Sequence, residues 1–138
     1  MQTSAPATPE TVSATLTRIT LPTLAAGERY AGIVIDPDNG QPTHHLILLP
    51  QQPDTRLTWD EAMAWAASIG AELPTLQESA LLYANLKPAF EPTWYWTGEH
   101  YAGYASYAWT QLFVNGTQYD SDKGYKGRVR AVRRFLIG

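Results

Sequence analysis

The segment that decides the fold is residues 58–78, which read TWDEAMAWAASIGAELPTLQE. It contains two capping boxes, Thr58-Trp59-Asp60-Glu61 and Thr75-Leu76-Gln77-Glu78. In such a box a Thr hydroxyl and a Glu carboxylate bind backbone N–H groups that the first helical turn leaves without partners. The segment therefore predicts two helices. The first ends at Gly70, a suitable left-handed C-terminal residue, and the second ends near Leu86, before Pro88.

Both predicted helices are amphipathic, so each should pack one face on a sheet. The residues expected to face inward from the first helix are Trp59, Ala62, Met63, Ala66 and Ile69. Those expected to face inward from the second helix are Leu76, Ala80, Leu81 and Ala84.

Strand signals lie on both sides of the helical segment. Upstream, they predict a short strand at residues 16–21 and a hairpin, buried on both faces, formed by residues 30–35 and 45–49. Downstream, they predict strands at residues 93–97, 108–114 and 127–135, with a hairpin turn at Asn115-Gly116. The alternation of the last strand slips at Ala131-Val132, which a β-bulge or burial on both faces would explain. Helices grouped between strands predict an α+β fold.

Length and composition limit the domain organisation. A chain of 138 residues fits one hydrophobic core, which we place at residues 15–138. Residues 1–14 are rich in Thr, Ser, Ala and Pro, with one charge at Glu10, and predict a flexible N-terminal arm. The chain has no cysteine, which excludes disulfides, thiolate metal sites and thiol nucleophiles. It shows neither a signal peptide nor a long apolar run, so we expect synthesis in the cytoplasm and no membrane insertion.

Basic residues are concentrated near the C-terminus, although the net charge is only -3. The members of this basic cluster are Lys123, Lys126, Arg128, Arg130, Arg133 and Arg134. One interpretation is a surface that binds sulfated glycan or nucleic acid. The other, which we favour, is that the arginines neutralise the acidic residues between Glu28 and Glu99. Nucleic acid is accordingly not the partner we expect.

Five motifs in a fixed order carry a resemblance to a known family. They are Thr58-Trp59-Asp60-Glu61-Ala62, Glu72-Leu73-Pro74-Thr75, Trp94-Tyr95-Trp96-Thr97-Gly98-Glu99, Ala108-Trp109 followed by Asn115-Gly116, and Arg130-Ala131-Val132-Arg133. The chain resembles the bacterial and phage domains typified by the C-terminal domain of the Legionella collagen-like adhesin. The resemblance implies a C-type-lectin-like fold, with two helices packed on antiparallel strands. Related phage domains often act as receptor-binding trimers, which implies a homotrimer or contacts with other phage tail proteins.

Departures from the family pattern narrow the expected chemistry. The calcium-binding triplet of the lectins is matched only by Gln52-Pro53-Asp54, which precedes the first helix and is therefore misplaced. The formylglycine-generating enzymes, which have a related fold, need cysteines that this chain lacks. His44 and His45 are neighbours on a predicted strand and point to opposite faces, so they cannot form a catalytic or chelating pair. We expect no cofactor, no metal and no catalysis.

The segment between Glu99 and Tyr125 has the composition of a binding surface, because rigid tyrosines are mixed with adaptable Gly, Ser and Asp. The candidate ligand-binding residues are Glu99, Tyr101, Tyr104, Tyr107, Tyr119, Asp120, Asp122 and Tyr125. Alternatively, half of these tyrosines fill the core, and both interpretations stay open. We expect exposure of Tyr101, Tyr104 and Tyr119. The residues expected in the core are the five tryptophans, Trp59, Trp65, Trp94, Trp96 and Trp109.

These features predict a non-enzymatic phage or prophage binding protein that presents a Tyr-rich surface to a glycan or protein receptor. One location that fits this function is the tail of a phage particle. The alternative is a structural tail or baseplate component, or an intracellular inhibitor of a host protein, that uses the same fold as a scaffold. Fold alone does not separate these functions.

Overall fold

The computed structural model describes residues 19–137. The predicted arm at residues 1–14 and the first part of the predicted strand at residues 16–21 lie outside the described residues. Residues 19–21 have no regular structure, so for them the predicted strand is wrong. A side chain holds the following segment instead, since Arg133 Nη2 donates to the carbonyl oxygen of Thr23 at 3.1 Å.

The described chain is a mixed α+β fold of two helices and six strands. In chain order the elements are β1 (Arg29–Ile35), β2 (Pro42–Leu48), α1 (Trp59–Ser68), α2 (Leu76–Leu86), a short 3-10 helix (Lys87–Ala89), β3 (Trp94–His100), β4 (Tyr107–Leu112), β5 (Gln118–Asp122) and β6 (Val132–Leu136). The predicted α+β class is confirmed.

The strands form two antiparallel sheets of three. The first has the order β1-β2-β6, in which the last strand returns to pair with β2 through His45 opposite Phe135 and Leu48 opposite Val132. The second sheet has the order β3-β4-β5. The predicted upstream hairpin is confirmed, but β1 is not buried on both faces, because only Ala31 and Val34 of this edge strand are buried.

Two strand predictions differ from the structure. β5 was missed, and the closing strand begins only at Val132 instead of residue 127. Residues 127–131 lie between the two sheets, where Gly127 bridges Leu57 and Arg128 bridges Tyr95. The chain changes its pairing partner between Arg128, which bridges Tyr95 of β3, and Ala131, whose carbonyl oxygen accepts from the Leu49 amide just after β2. Ala131 and Val132 are both fully buried, so burial on both faces explains the slip in alternation.

Both predicted capping boxes are confirmed. The Thr58 hydroxyl accepts from the Glu61 amide, and the Glu61 carboxylate accepts from the Thr58 amide at 2.9 Å. Thr75 and Glu78 repeat this arrangement at the start of α2. Gly70 follows α1 with φ of 70°, the left-handed conformation expected there.

The inward faces were predicted only in part. In α1, Trp59, Ala62 and Ala66 are buried as expected, but Met63 is exposed. In α2 the prediction is wrong for Ala80 and Ala84, which are exposed. The residues that α2 buries are Glu78, Ser79 and Leu82. The helix is rotated relative to the prediction because its charged residue points inward.

Glu78 points inward because strands β2 and β6 supply the side chains that bind its carboxylate. Its carboxylate accepts two hydrogen bonds of 2.7 Å from Arg134 on β6, one through Nε and one through Nη2. His44 Nε2 on β2 contacts the same carboxylate at 2.7 Å. The amide of Thr75 donates at 2.9 Å. The carboxylate is thus paired and hydrogen-bonded, as a buried charge must be.

We predict that Glu78→Ala lowers the free energy of unfolding by about 3–5 kcal/mol, because it leaves the Arg134 guanidinium without its buried partner. Glu72→Ala is the matched control. Glu72 also binds Arg134, at 2.9 Å, but its side chain is 73% exposed against 1% for Glu78. The control should cost about 1 kcal/mol or less. Urea unfolding measures the free energy of unfolding of both variants. Equal losses of stability would contradict the conclusion that Glu78 is the buried partner of Arg134.

The stability should also fall at acidic pH through Glu78. Burial raises the pKa of this carboxyl, but hydrogen bonds from Arg134, Thr75 and His44 outweigh it, so the pKa lies below its ordinary value. The stabilisation is present above the ordinary carboxyl pKa of about 4.3 and is lost as pH falls through the lower folded pKa. Glu78→Gln should flatten this pH dependence of urea unfolding. A variant with the wild-type profile would refute the prediction.

Candidate functional site

One face of the β3-β4-β5 sheet is built from alternate residues of β4 and β5. Strand alternation places Tyr107, Trp109 and Gln111 of β4 on the same face. Their partners across β5 are Asp122, Asp120 and Gln118, respectively. Opposite residues of paired strands share a face. This face therefore changes from amides at one end to aromatic rings and carboxylates at the other.

Helix α2 covers the amide end of the face. Gln118 Nε2 donates to the carbonyl oxygen of Leu76, the first residue of α2, and to Gln111 Oε1, both at 2.8 Å. Gln111 is buried beneath this contact. The aromatic end differs, since Tyr107 and Trp109 are only partly buried.

The β3-β4 connection places two more rings on the aromatic end. The Tyr101 ring lies 5.2 Å from the Trp109 ring in an edge-on arrangement. Tyr104 lies 6.2 Å from Tyr101 and 5.5 Å from Tyr107, measured between ring centroids. The Tyr101–Trp109 pair is edge-on, Tyr104–Tyr107 is tilted and Tyr101–Tyr104 is stacked at 26°. The edge-on arrangement is among those that aromatic pairs prefer. We call Tyr101, Tyr104, Tyr107 and Trp109 the aromatic patch.

Backbone hydrogen bonds hold this connection in place. The Tyr101 amide donates to the carbonyl oxygen of Tyr107, and the Tyr107 amide donates to that of Tyr104, both at 3.0 Å. The Lys123 amide donates to the carbonyl oxygen of Ser106 at 2.9 Å. The rings therefore sit on a connection that is bonded at both ends.

The Lys123 side chain ties the same connection to the rest of the domain. Its ammonium group donates to the carbonyl oxygen of Ala105 at 2.6 Å and contacts His100 Nδ1 at 2.7 Å. It also lies 4.5 Å from the centre of the Trp59 ring, a cation-π contact with the first residue of α1. This member of the basic cluster thus makes internal contacts.

The structure separates the candidate residues into groups. Tyr101, Tyr104 and Tyr107 come together in the aromatic patch, and Asp120 and Asp122 share its sheet face. The Asp122 carboxylate also accepts from the Gly124 amide at 2.8 Å, which fixes its orientation. These carboxylates place hydrogen-bond acceptors beside the aromatic rings.

Three further candidate residues belong neither to the aromatic patch nor to the pair of carboxylates beside it. Glu99 Oε1 accepts from the Leu76 amide at 2.9 Å, so this carboxylate caps the N-terminus of α2. Tyr119 pairs with Thr110 and, by alternation, lies on the sheet face opposite Asp120. Tyr125 is exposed in the turn after β5 and has no ring contact within residues 19–137.

The expected exposure of the tyrosines needs correction. Tyr104 is 64% exposed, as expected. Tyr101 and Tyr119 are partly buried and not exposed. The Tyr101 ring packs on Trp109 of β4, and Tyr119 is a residue of β5 itself, paired with Thr110. Trp109, expected in the core, is also partly buried and belongs to the patch. Its two-residue spacing from Tyr107 on one strand is the sequence signal that would have identified it.

Within residues 19–137, no three His, Cys, Asp or Glu side chains are grouped so that they could hold a metal ion. In the same part of the chain, no helix is long and apolar enough to cross a membrane. No protein-family model matches the sequence, and no curated protein matches it.

We predict that Tyr104→Ala changes the free energy of unfolding by about 0.5 kcal/mol or less, because most of this side chain is in solvent. Tyr101→Ala should cost about 1–2 kcal/mol, since it removes contacts with two rings. Urea unfolding of the two variants gives the comparison. If Tyr104→Ala were the more damaging change, the patch would be a core element and not a surface.

Proposed function

We propose that this chain is a non-enzymatic binding protein of the phage or prophage type, and that its ligand is a glycan or protein receptor bound at the aromatic patch. The observation that carries the proposal is the grouping of four rings on one sheet face, with the Tyr104 ring 64% exposed. Tyr and Trp contribute large contact areas with little loss of conformational entropy, which favours recognition.

The carboxylates beside the rings support a polar ligand. Asp120 and Asp122 lie opposite Trp109 and Tyr107 in the strand register. Stacking on a ring combined with hydrogen bonds to carboxylates suits the apolar face and hydroxyl rim of a sugar. The same combination suits protein side chains that carry N–H donors. Both receptor classes therefore remain within the proposal.

We also propose that the α+β architecture is a C-type-lectin-like fold. Support comes from the pairing of the last strand, β6, with β2 of the upstream hairpin. It also comes from the two capped helices, which follow β2 and precede β3 in the sequence. The five motifs that carry the family resemblance contribute the cap of each helix, much of β3, part of β4 and the start of β6.

The test measures binding of fluorescently labelled protein to a panel of intact bacterial strains. Protease treatment of the cells removes a protein receptor, and periodate oxidation removes a glycan receptor. We expect saturable binding that one of the two treatments abolishes, and that Tyr104→Ala weakens by about tenfold or more.

The matched control is Tyr125→Ala, because Tyr125 is also 64% exposed but lies outside the patch. This variant should bind like the wild type. Binding that survives Tyr104→Ala but is lost on Tyr125→Ala would move the site to the turn after β5. Binding unaffected by either change would overturn the proposed site.

A second candidate, a structural component of a tail or baseplate, is favoured by apolar side chains at the β1-β2-β6 sheet. Leu136 is 77% exposed at the end of β6, and Phe135 beside it is also exposed. β6 is an edge strand of its sheet, and an edge strand with exposed apolar side chains is a place where another chain can pair. Sedimentation velocity should then show a wild-type oligomer that Leu136→Ser dissociates. A monomeric wild type would exclude assembly through this strand.

A further inference from the structure

The guanidinium groups of Arg56 and Arg128 differ in their contacts from those of Arg130, Arg133 and Arg134. Arg133 binds the Glu28 carboxylate, and Arg134 binds that of Glu78. Arg130 donates to two backbone carbonyl oxygens. Within residues 19–137, the guanidinium groups of Arg56 and Arg128 have neither a hydrogen bond nor a carboxylate within 4.0 Å.

Arg128 is the more unusual of the two, because its Nε atom is buried and has no hydrogen-bond partner in the described chain. Buried donors in native proteins nearly always have an acceptor, and an unsatisfied one costs about 1–3 kcal/mol. Arg130 Nε is also unpaired, but that guanidinium has two other hydrogen bonds and lies over the Phe90 ring. Arg128 has no such compensation.

Arg56 and Arg128 line the same cavity, which has a volume of about 160 Å³. The other lining residues are Gln52, Pro53, Asp54, Thr55 and Val129. The wall is fixed, since Leu57 and Gly127 exchange two backbone hydrogen bonds of 2.9 Å next to it. Two guanidinium groups and the Asp54 carboxylate leave a net positive charge around a space large enough for a small anion.

A second cavity, which is wide and largely open to solvent, adjoins the first and shares its loop, residues 52–55. Leu57, Ala64 and the partly buried Trp65 give it an apolar wall. A ligand with an anionic group in the smaller cavity therefore has room for an apolar or planar part beside Trp65. None of these residues belongs to the aromatic patch.

We propose that this pair of cavities is a second ligand site, at which Arg56 and Arg128 bind an oxyanion, the phosphate or carboxylate group of a small molecule whose apolar part lies against Trp65. Guanidinium groups bind such anions through charge-assisted hydrogen bonds. An anion in the smaller cavity would accept from the terminal Nη atoms of the two guanidinium groups, which have no acceptor within residues 19–137.

Isothermal titration calorimetry tests the proposal with sodium phosphate, sodium acetate and phenyl phosphate at constant ionic strength. We expect saturable binding of phosphate or acetate, and the stronger of the two identifies the oxyanion. Arg128→Gln should weaken it by about tenfold or more, which corresponds to about 1.4 kcal/mol. Lys126→Gln is the control, because it removes the same charge from an exposed residue of the same segment that does not line the cavity.

Arg56→Gln provides an independent variant, since Arg56 is exposed and its replacement should leave folding unchanged. Weakened binding in both arginine variants, with wild-type binding in Lys126→Gln, supports the site. No saturable binding of either anion overturns it, as does equal weakening by all three changes, which would indicate only a general charge effect. Phenyl phosphate should bind more tightly than inorganic phosphate, and equal affinity would overturn the assignment of the Trp65 cavity.

Discussion

The buried carboxylate of Glu78 joins three elements that are distant in sequence. It caps the start of α2 through the Thr75 amide, and it binds His44 on β2 and Arg134 on β6. A single carboxylate therefore fixes both the beginning of the helix and its rotation against the β1-β2-β6 sheet. Removing it would leave the Arg134 guanidinium without its only buried carboxylate within residues 19–137. Buried charges of this kind are tolerated when every member of the network has its partner.

The placement of α2 also determines which part of the second sheet stays open. Because the helix begins at Leu76, its first turn reaches the amide end of the β4-β5 face, where Gln118 binds the Leu76 carbonyl oxygen. Glu99 of β3 binds the Leu76 amide. The face beyond that turn is left to the aromatic patch. The proposed binding surface is thus a consequence of where the helix starts, and its rings rest on regular strands, which position side chains more rigidly than loops do.

Local signals in the sequence were sufficient to predict the helices but not their faces. A capping box needs only residues three apart, so both helix starts follow from the sequence. The inward face of α2 depends on His44 and Arg134, which are 34 and 56 residues from Glu78, and no periodicity reveals such partners. β5 was missed because QYDSD is polar and lacks the alternation that marks a strand. Composition located the tyrosines of the patch, whereas Trp109 follows only from its two-residue spacing from Tyr107 on one strand.

The central claim is that the four rings form one fixed surface held by the hydrogen bonds of the β3-β4 connection. Amide hydrogen exchange followed by nuclear magnetic resonance tests it most directly, because the Tyr101, Tyr107 and Lys123 amides each donate to a backbone carbonyl there. These amides should exchange about 100-fold more slowly than in an unstructured peptide, which corresponds to an opening free energy of about 2.7 kcal/mol. Exchange of the three amides at unprotected rates would mean that the connection opens freely, and it would contradict a preformed aromatic patch.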